Sequence, residues 1–189
     1  MSLRSVLPRA FVTLHLLGGA AEPAGAPGEE PASAVAHVES ARIEHQTMRP
    51  LAFLLGAWEG SGSITLGPGA AHPFVQTEKV EPRLDGVVVT IEGLGRSPTD
   101  DSVVHHAFAV LFHDAAHGFR IRSFTRDGRT VESDVTVGER TLTWGFTAGP
   151  QTTRFTITVT PDGRWVETGE SSRDGTTWFP FFAMELTRR

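Results

Sequence analysis

Polar and apolar residues alternate with a period of two over much of the chain beyond Gly56. Between positions 141 and 147, Leu142, Trp144 and Phe146 alternate with threonine and glycine, and the segment 154–160 repeats this pattern. Such alternation is typical of strands that bury one face and expose the other. This part of the chain is therefore predicted to form amphipathic strands.

Asp-Gly pairs at 85–86, 127–128, 162–163 and 174–175 mark tight hairpin turns, because they supply the positive φ angles that two-residue turns require. No helical pattern lies between the runs, which excludes parallel crossovers. We expect an all-β fold, an antiparallel up-and-down barrel of about ten strands, since closure removes exposed strand edges. The predicted strands lie near 57–66, 73–81, 86–95, 103–113, 118–126, 129–137, 140–147, 152–160, 163–171 and 176–187.

The first 47 residues have a different composition. Between positions 18 and 36, fourteen of nineteen residues are Gly, Ala or Pro, a composition that cannot bury a core. Arg4 and Arg9 precede an apolar run at 10–17 that has the outline of an export signal, but His15 interrupts it. We predict that residues 1–47 are a disordered extension, or a signal segment with a linker, and favour the cytoplasm over export.

A short helical plug is predicted in front of the barrel. Apolar positions at helical spacing run from Ser40, a suitable N-cap, to Leu55, and Pro50 should break this helix into two pieces. The barrel domain is predicted to cover residues 48–189.

Composition and charge exclude several classes of function. The net charge of −5 leaves no positive surplus for phosphates, so nucleic acid is not expected as a partner. No run of eighteen apolar residues is present, so no membrane-spanning helix is expected. The absence of Cys excludes disulfides, thiolate metal sites and cysteine nucleophiles. The oligomeric state stays open, with a homodimer among the alternatives.

The segment 51–62 carries the most specific motif, G-x-W-x-G-x-G, made by Gly56, Trp58, Gly60 and Gly62. Trp58, Gly60 and Gly62 share one face of the first predicted strand. We expect the tryptophan ring to plug one end of the barrel, while the two glycines leave space above the ring and let the strand bend.

This motif resembles the opening of nitrobindin-like and lipocalin-like barrels, and residues 48–189 resemble an uncharacterised bacterial family of lipocalin-like domains. The resemblance implies that Trp58 packs under a basic side chain of the last strand, here Arg188 or Arg189, as a cation–π lid. Nitrobindin relatives bind haem through a His on the final strand, but residues 176–187 contain none. Met184 could be a soft ligand, and a His on the fourth strand (His105, His106 or His113) remains possible. Haem is disfavoured and no cofactor is predicted.

Charged residues on two strands are candidates for a site in the lumen. Glu167 shares a face with Trp165, and would carry a carboxylate into the barrel if that ring points inward. Arg122 and Phe124 share a face of the fifth strand, where a guanidinium over an apolar floor would suit a ligand carboxylate or phosphate. The alternative is that Phe119 and Ile121 face inward and the arginines are solvated.

Metal binding is not predicted. His113 and His117 have the spacing of a helical metal pair, but here they straddle a hairpin, where that spacing does not align two ligands.

The prediction for function is a barrel that holds a small apolar or amphipathic molecule in its lumen. The proposed ligand-binding residues are Trp58, Arg122, Phe124, Trp144 and Glu167. One alternative is a hydrolase or isomerase that uses Glu167 or a lumen His as general base. Another is a filled barrel that serves as an interaction module.

Overall fold

The computed structural model describes residues 30–189 apart from residues 66 and 68. An α-helix, α1 (Glu30–Met48), and a 3-10 helix (Arg49–Leu54) precede ten strands; a second short 3-10 helix (Leu84–Gly86) lies between β2 and β3. The strands are β1 (Gly56–Ile64), β2 (His72–Arg83), β3 (Val88–Arg96), β4 (Val103–Asp114), β5 (Gly118–Thr125), β6 (Thr130–Gly138), β7 (Thr141–Ala148), β8 (Gln151–Val159), β9 (Trp165–Ser172) and β10 (Phe179–Arg188).

The ten strands form a closed antiparallel barrel in which each strand pairs with its neighbours in the chain. Strand β1 closes the ring by pairing with β10, from Trp58 opposite Arg188 to Ile64 opposite Phe182. The predicted fold is thus confirmed, and the strand bounds lie within a few residues of the predicted ones. The alternation of polar and apolar residues predicts the strands because each strand turns one face to the interior of the barrel and the other to solvent.

The core fills the end of the barrel that the 3-10 helix covers. Leu51 and Leu54 of this helix are fully buried, together with Trp58 at the start of β1. The wall around them is aliphatic, with Leu111, Leu142, Val159 and Leu186 among its buried members. Pro50 at the start of the 3-10 helix ends α1, which confirms the predicted break.

Helix α1 begins at Glu30, ten residues before the predicted start at Ser40. Residues 30–36, which the composition predicts as linker, therefore belong to the helix. Alanine and glutamate favour helix by intrinsic propensity. Ile43 of this helix is 51% exposed. Residues 1–29, with the predicted signal outline, lie outside the described residues. No helix in the described part of the chain has the length and apolarity needed to cross a membrane.

The two motif glycines of β1 allow close packing rather than leaving empty space, which corrects the prediction made from the motif. A Cβ at Gly60 would lie 2.1 Å from the carbonyl oxygen of Glu185 on β10. A Cβ at Gly62 would lie 2.5 Å from Cζ of Phe74, whose ring takes the space that the missing side chain leaves.

Candidate functional site

Trp58 closes the covered end of the barrel. Its indole Nε1 donates a hydrogen bond to the Leu54 carbonyl oxygen at 2.8 Å, which ties β1 to the 3-10 helix. The guanidinium carbon of Arg188 lies 4.2 Å from the centre of the ring, in cation–π geometry. Arg188 also donates to the carbonyl oxygens of Phe53 and Leu55. Arg188 is thus the basic lid, whereas the alternative, Arg189, pairs with Glu59.

Glu167 projects into the barrel beside this plug. Trp165 meets Trp58 edge to face, with ring centroids 5.5 Å apart, and donates from Nε1 to Oε2 of Glu167 at 3.1 Å. Glu167 is 9% exposed, and burial raises its pKa from the ordinary 4.5 to about 7, against the opposing effect of the Trp165 hydrogen bond. Glu167 lies on the inner face, as the alternation with Trp165 predicts.

A second buried carboxyl group, which the sequence reasoning did not single out, lies on β2. Glu78 is 6% exposed and accepts a 2.7 Å hydrogen bond at Oε1 from the amide of Gln76. Burial raises the pKa of Glu78 to about 8; the charge of Glu167 raises it further, and the Gln76 hydrogen bond opposes both. We call Gln76, Glu78 and Glu167 the polar cluster.

The polar cluster has unused hydrogen-bond acceptors. Glu78 Oε2 and Gln76 Oε1 are buried and have no hydrogen-bond partner among the described residues. Both side chains lie against glycines of β3: a Cβ at Gly93 would come within 2.5 Å of Glu78 Oε1, and one at Gly95 within 2.6 Å of Gln76 Oε1. The sequence contains a pattern that indicates these residues, since Gln76 and Glu78 interrupt an otherwise apolar face of β2 between Phe74 and Val80.

Five aromatic rings form a continuous series from the polar cluster to β7, and we call them the aromatic row. Phe74, which precedes Gln76 on the inner face of β2, stacks on Phe182 at 5.7 Å, and Phe182 meets Phe155 at 6.0 Å. Phe155 stacks on Trp144 at 4.7 Å, and Trp144 lies 6.2 Å from Phe146. Trp144 thus faces the lumen, where the ligand-binding prediction needs it.

The barrel architecture occurs in known structures, although no protein-family model and no curated protein matches this chain. A crystal structure of Rv2717c from M. tuberculosis is similar with a TM-score of 0.56 and 13% identity, over 76% of this chain and 97% of that one. The structure of the S-type phycobiliprotein lyase CPES from Guillardia theta is similar with a TM-score of 0.50 and 10% identity, over 79% and 97%. The chain has a calycin-like barrel fold. At these identities the likeness establishes the fold alone.

The calycin-like barrel does not offer the haem ligand that the nitrobindin resemblance implies. The inward side chains of β10 include Phe182, Met184 and Leu186, none of which is an imidazole. Met184 is 5% exposed, and its Cβ lies 2.6 Å from the position that a Cβ at Gly62 would take, so it is buried against β1. The residues of the final strand therefore do not fit axial ligation of haem.

Arg122 and Phe124 lie on the outer wall of the barrel, so the prediction that they line the lumen is wrong. The side chain of Arg122 is 55% exposed, lies over the Phe124 ring at 5.6 Å, and is 3.9 Å from Glu132. The reason is the burial of Ile121, which takes the inner face of β5 and leaves the charged residues to water. A ligand anion would not meet these residues in the lumen.

The histidines of β4 and of the β4–β5 turn do not share one face of the barrel. His105 faces the lumen, and burial lowers its pKa, with smaller effects of His106 and Arg129 in the same direction. His106 faces outward, 3.4 Å from Glu92. His117 lies in the β4–β5 turn, where its Nδ1 is 2.7 Å from Asp114. Within the described residues, no group of three or more His, Asp or Glu side chains could hold a metal ion.

Proposed function

We propose that the barrel binds a small amphipathic molecule, whose polar end donates hydrogen bonds to the polar cluster and whose apolar part packs along the aromatic row. The observation that carries this proposal is the pair of buried, unpartnered acceptors, Glu78 Oε2 and Gln76 Oε1. A buried polar atom without a partner costs free energy, which a matching ligand group would recover. The Gln76 carbonyl oxygen only accepts, and so does Glu78 when it is ionised, so a ligand that pairs with both must donate.

The polar cluster favours a cationic donor over an anion. Two carboxyl groups with raised pKa values hold protons near neutral pH because burial penalises their charge. A protonated amine would stabilise the ionised form of Glu78, so Glu78 would release its proton to solvent on binding, and the amine would donate to the carboxylate and to the Gln76 carbonyl oxygen. The expected head group is therefore an amine, the reverse of the anionic group that an inward Arg122 would have selected.

A fluorescence titration with two dansyl probes tests this proposal. Dansylcadaverine carries its fluorophore on a chain that ends in a primary amine, and dansyl-aminocaproic acid carries the same fluorophore on a chain that ends in a carboxylate. We expect the amine to bind at least about tenfold more tightly, the size of one charge-assisted hydrogen bond. Equal affinities, or failure of both probes to bind, would contradict the proposal.

Matched variants locate the binding group. Glu78→Gln preserves the shape of the side chain but removes its charge, so binding of dansylcadaverine should weaken about tenfold. Glu92→Gln, on the outer face of β3, is the control and should bind like the wild type. Native mass spectrometry and an absorption spectrum of the purified protein complete the test, because a Soret band would show haem instead.

A barrel enzyme is the second candidate, favoured by the pKa of about 7 for Glu167, which suits a general base near neutral pH. Hydrolysis of p-nitrophenyl acetate provides a first assay. Loss of turnover in Glu167→Gln with retained binding of dansylcadaverine would support the enzyme. Equal rates in Glu167→Gln and the wild type would remove Glu167 as the base.

A further inference from the structure

A pocket lies at the rim of the barrel, beside the 3-10 helix that covers this end. Its volume is about 450 Å³, a size typical of pockets that hold small molecules. One wall comes from the end of α1 and the 3-10 helix, and the other from the segment 82–89, which contains the turn between β2 and β3. Among the described residues that line the pocket, none belongs to the polar cluster or to the aromatic row. The pocket is therefore distinct from the site in the lumen.

Most of the side chains that line this pocket are apolar. Met48 and Val89 are each 3% exposed, and three further apolar residues complete the walls: Ala52, Leu55 and Pro82. Apolar walls favour a ligand with an apolar part, because contact between them removes both surfaces from water.

The last turn of α1 is fixed against the barrel on two sides. The His45 ring lies over Gly86 in the β2–β3 turn, where a Cβ would come within 2.9 Å of the ring atom Cδ2. Glu44 lies 3.6 Å from Nδ1 of His113 on β4. These contacts hold the two walls of the pocket in place without a ligand, so binding does not have to order them first.

Two opposite charges border the apolar walls, Arg49 on the helical side and Asp85 on the side of the β2–β3 turn. Neither side chain forms an ion pair or a side-chain hydrogen bond within the part of the chain that the structure describes. The neighbouring cations Lys79 and Arg83, in contrast, both pair with Glu81. Because Arg49 and Asp85 do not pair with each other, a ligand group that carries both charges can lie between them.

The backbone of the β2–β3 turn is unusual at the residue that supplies the negative charge. Leu84 and Asp85 both lie in the left-handed region, with φ angles of 51° and 55°. Leucine rarely adopts this conformation, because its Cβ approaches the following carbonyl oxygen. Burial does not offset the strain, since Leu84 is 74% exposed. Strain of this kind is concentrated at sites that bind ligands.

We propose that the pocket binds an apolar α-amino acid, with its ammonium group at Asp85, its carboxylate at Arg49 and its side chain against the apolar walls. A guanidinium suits a carboxylate because it can donate two parallel hydrogen bonds. A ligand with only one charged group would leave either Arg49 or Asp85 without a partner. This site is additional to the one in the lumen and does not depend on the proposed function.

Calorimetric titration of the full chain with three related probes tests the proposal. Phenylalanine carries both charges, phenethylamine lacks the carboxylate, and 3-phenylpropanoic acid lacks the ammonium group. We expect phenylalanine to bind about fivefold more tightly than either analogue, the upper end of what one exposed ion pair contributes. Equal affinities of the three probes, or no binding of phenylalanine, would overturn the proposal.

Charge variants assign each end of the amino acid. Arg49→Gln should abolish the advantage of phenylalanine over phenethylamine, and Asp85→Asn its advantage over 3-phenylpropanoic acid. Asparagine also tolerates the left-handed conformation, so the turn should be retained. Arg83→Gln, an exposed cation on the same hairpin that does not line the pocket, is the control and should bind phenylalanine like the wild type. An advantage that persists in its matched variant would refute the assignment of that end.

Filling the pocket provides a measurement that does not depend on charge. Ala52→Leu adds apolar volume to the helical wall and should weaken phenylalanine binding at least about tenfold, because the added side chain takes the space of the ligand. A melting curve shows whether the variant is folded. Wild-type affinity in a folded Ala52→Leu protein would overturn the proposal.

A competition experiment separates this pocket from the lumen. Phenylalanine should not displace dansylcadaverine that is bound at the polar cluster, because the two sites share no lining residue among those described. Displacement would place both molecules in one site and overturn the separate pocket. If dansylcadaverine does not bind at all, the proposed function fails, while the titration with phenylalanine still decides the amino-acid site.

Discussion

The polar cluster predicts an unusual dependence of stability on pH, which Glu78→Gln should expose. The pKa of Glu78 rises from 4.5 in the unfolded chain to about 8 in the folded barrel. Between these values the folded state holds a proton that the unfolded state has released, so stability must fall as pH rises. The slope for one group is about 1.4 kcal/mol per pH unit.

Glu78→Gln has no carboxyl proton to release at this position. From about pH 5 to about pH 7, the wild type should therefore lose about 3 kcal/mol of unfolding free energy more than Glu78→Gln. His105, whose pKa is lowered by burial, acts in the opposite direction at the acid end of this range. Its contribution is the same in both proteins and cancels in the difference.

Urea denaturation followed by tryptophan fluorescence measures this difference at several pH values. Glu92→Gln is the control, because its side chain is exposed on the outer wall and the curve should run parallel to that of the wild type. Glu167→Gln should remove the part of the shift at Glu78 that the Glu167 charge causes. Parallel curves for Glu78→Gln and the wild type would refute a proton held by the folded state at Glu78.

Two further substitutions test the closed end of the barrel. Arg188→Ala removes the cation–π contact with Trp58 and the hydrogen bonds to the carbonyl oxygens of Phe53 and Leu55. This variant should lower the unfolding free energy by about 2 kcal/mol. A urea midpoint like that of the wild type would show that the lid is dispensable. Gly60→Ala places a methyl group 2.1 Å from the Glu185 carbonyl oxygen and should cost at least about 2 kcal/mol. Ser61→Ala, on the exposed face of the same strand, is its control, and equal stability of the two variants would contradict the close approach of β10.

The strands were predictable because alternation and turn chemistry are local. The Asp-Gly pair at 127–128 lies in the β5–β6 turn with Gly128 at a φ of 85°, and the pair at 162–163 lies in the β8–β9 turn with Gly163 at 86°. Helix α1 was predicted less well, since its start at Glu30 depends on helix propensity rather than on a buried face.

The inward position of a site residue was predictable only where the pattern within a single strand was sufficient to show which face is buried. Trp165 and Glu167 alternate on β9, and the large ring indicated which way the carboxylate points. On β5 both faces carry apolar side chains, so the alternation could not decide between Phe119 with Ile121 and Arg122 with Phe124. The packing of the barrel shows which face of β5 points inward, because Ile121 lies opposite Leu111 in the β4–β5 ladder and both are buried.

Glu78 shows what a search within single strands cannot detect. Its position inside the barrel depends on Gly93, which lies opposite it on β3 and has no side chain to occupy the same volume. Gly95 has the same relation to Gln76. In the sequence these glycines suggest only a weakened strand, whereas in the barrel they make room for two polar side chains with unused acceptors. A pair of alternating glycines opposite a pair of alternating polar residues is therefore a pattern that spans two strands, and it identifies the polar cluster once the pairing of β2 with β3 is known.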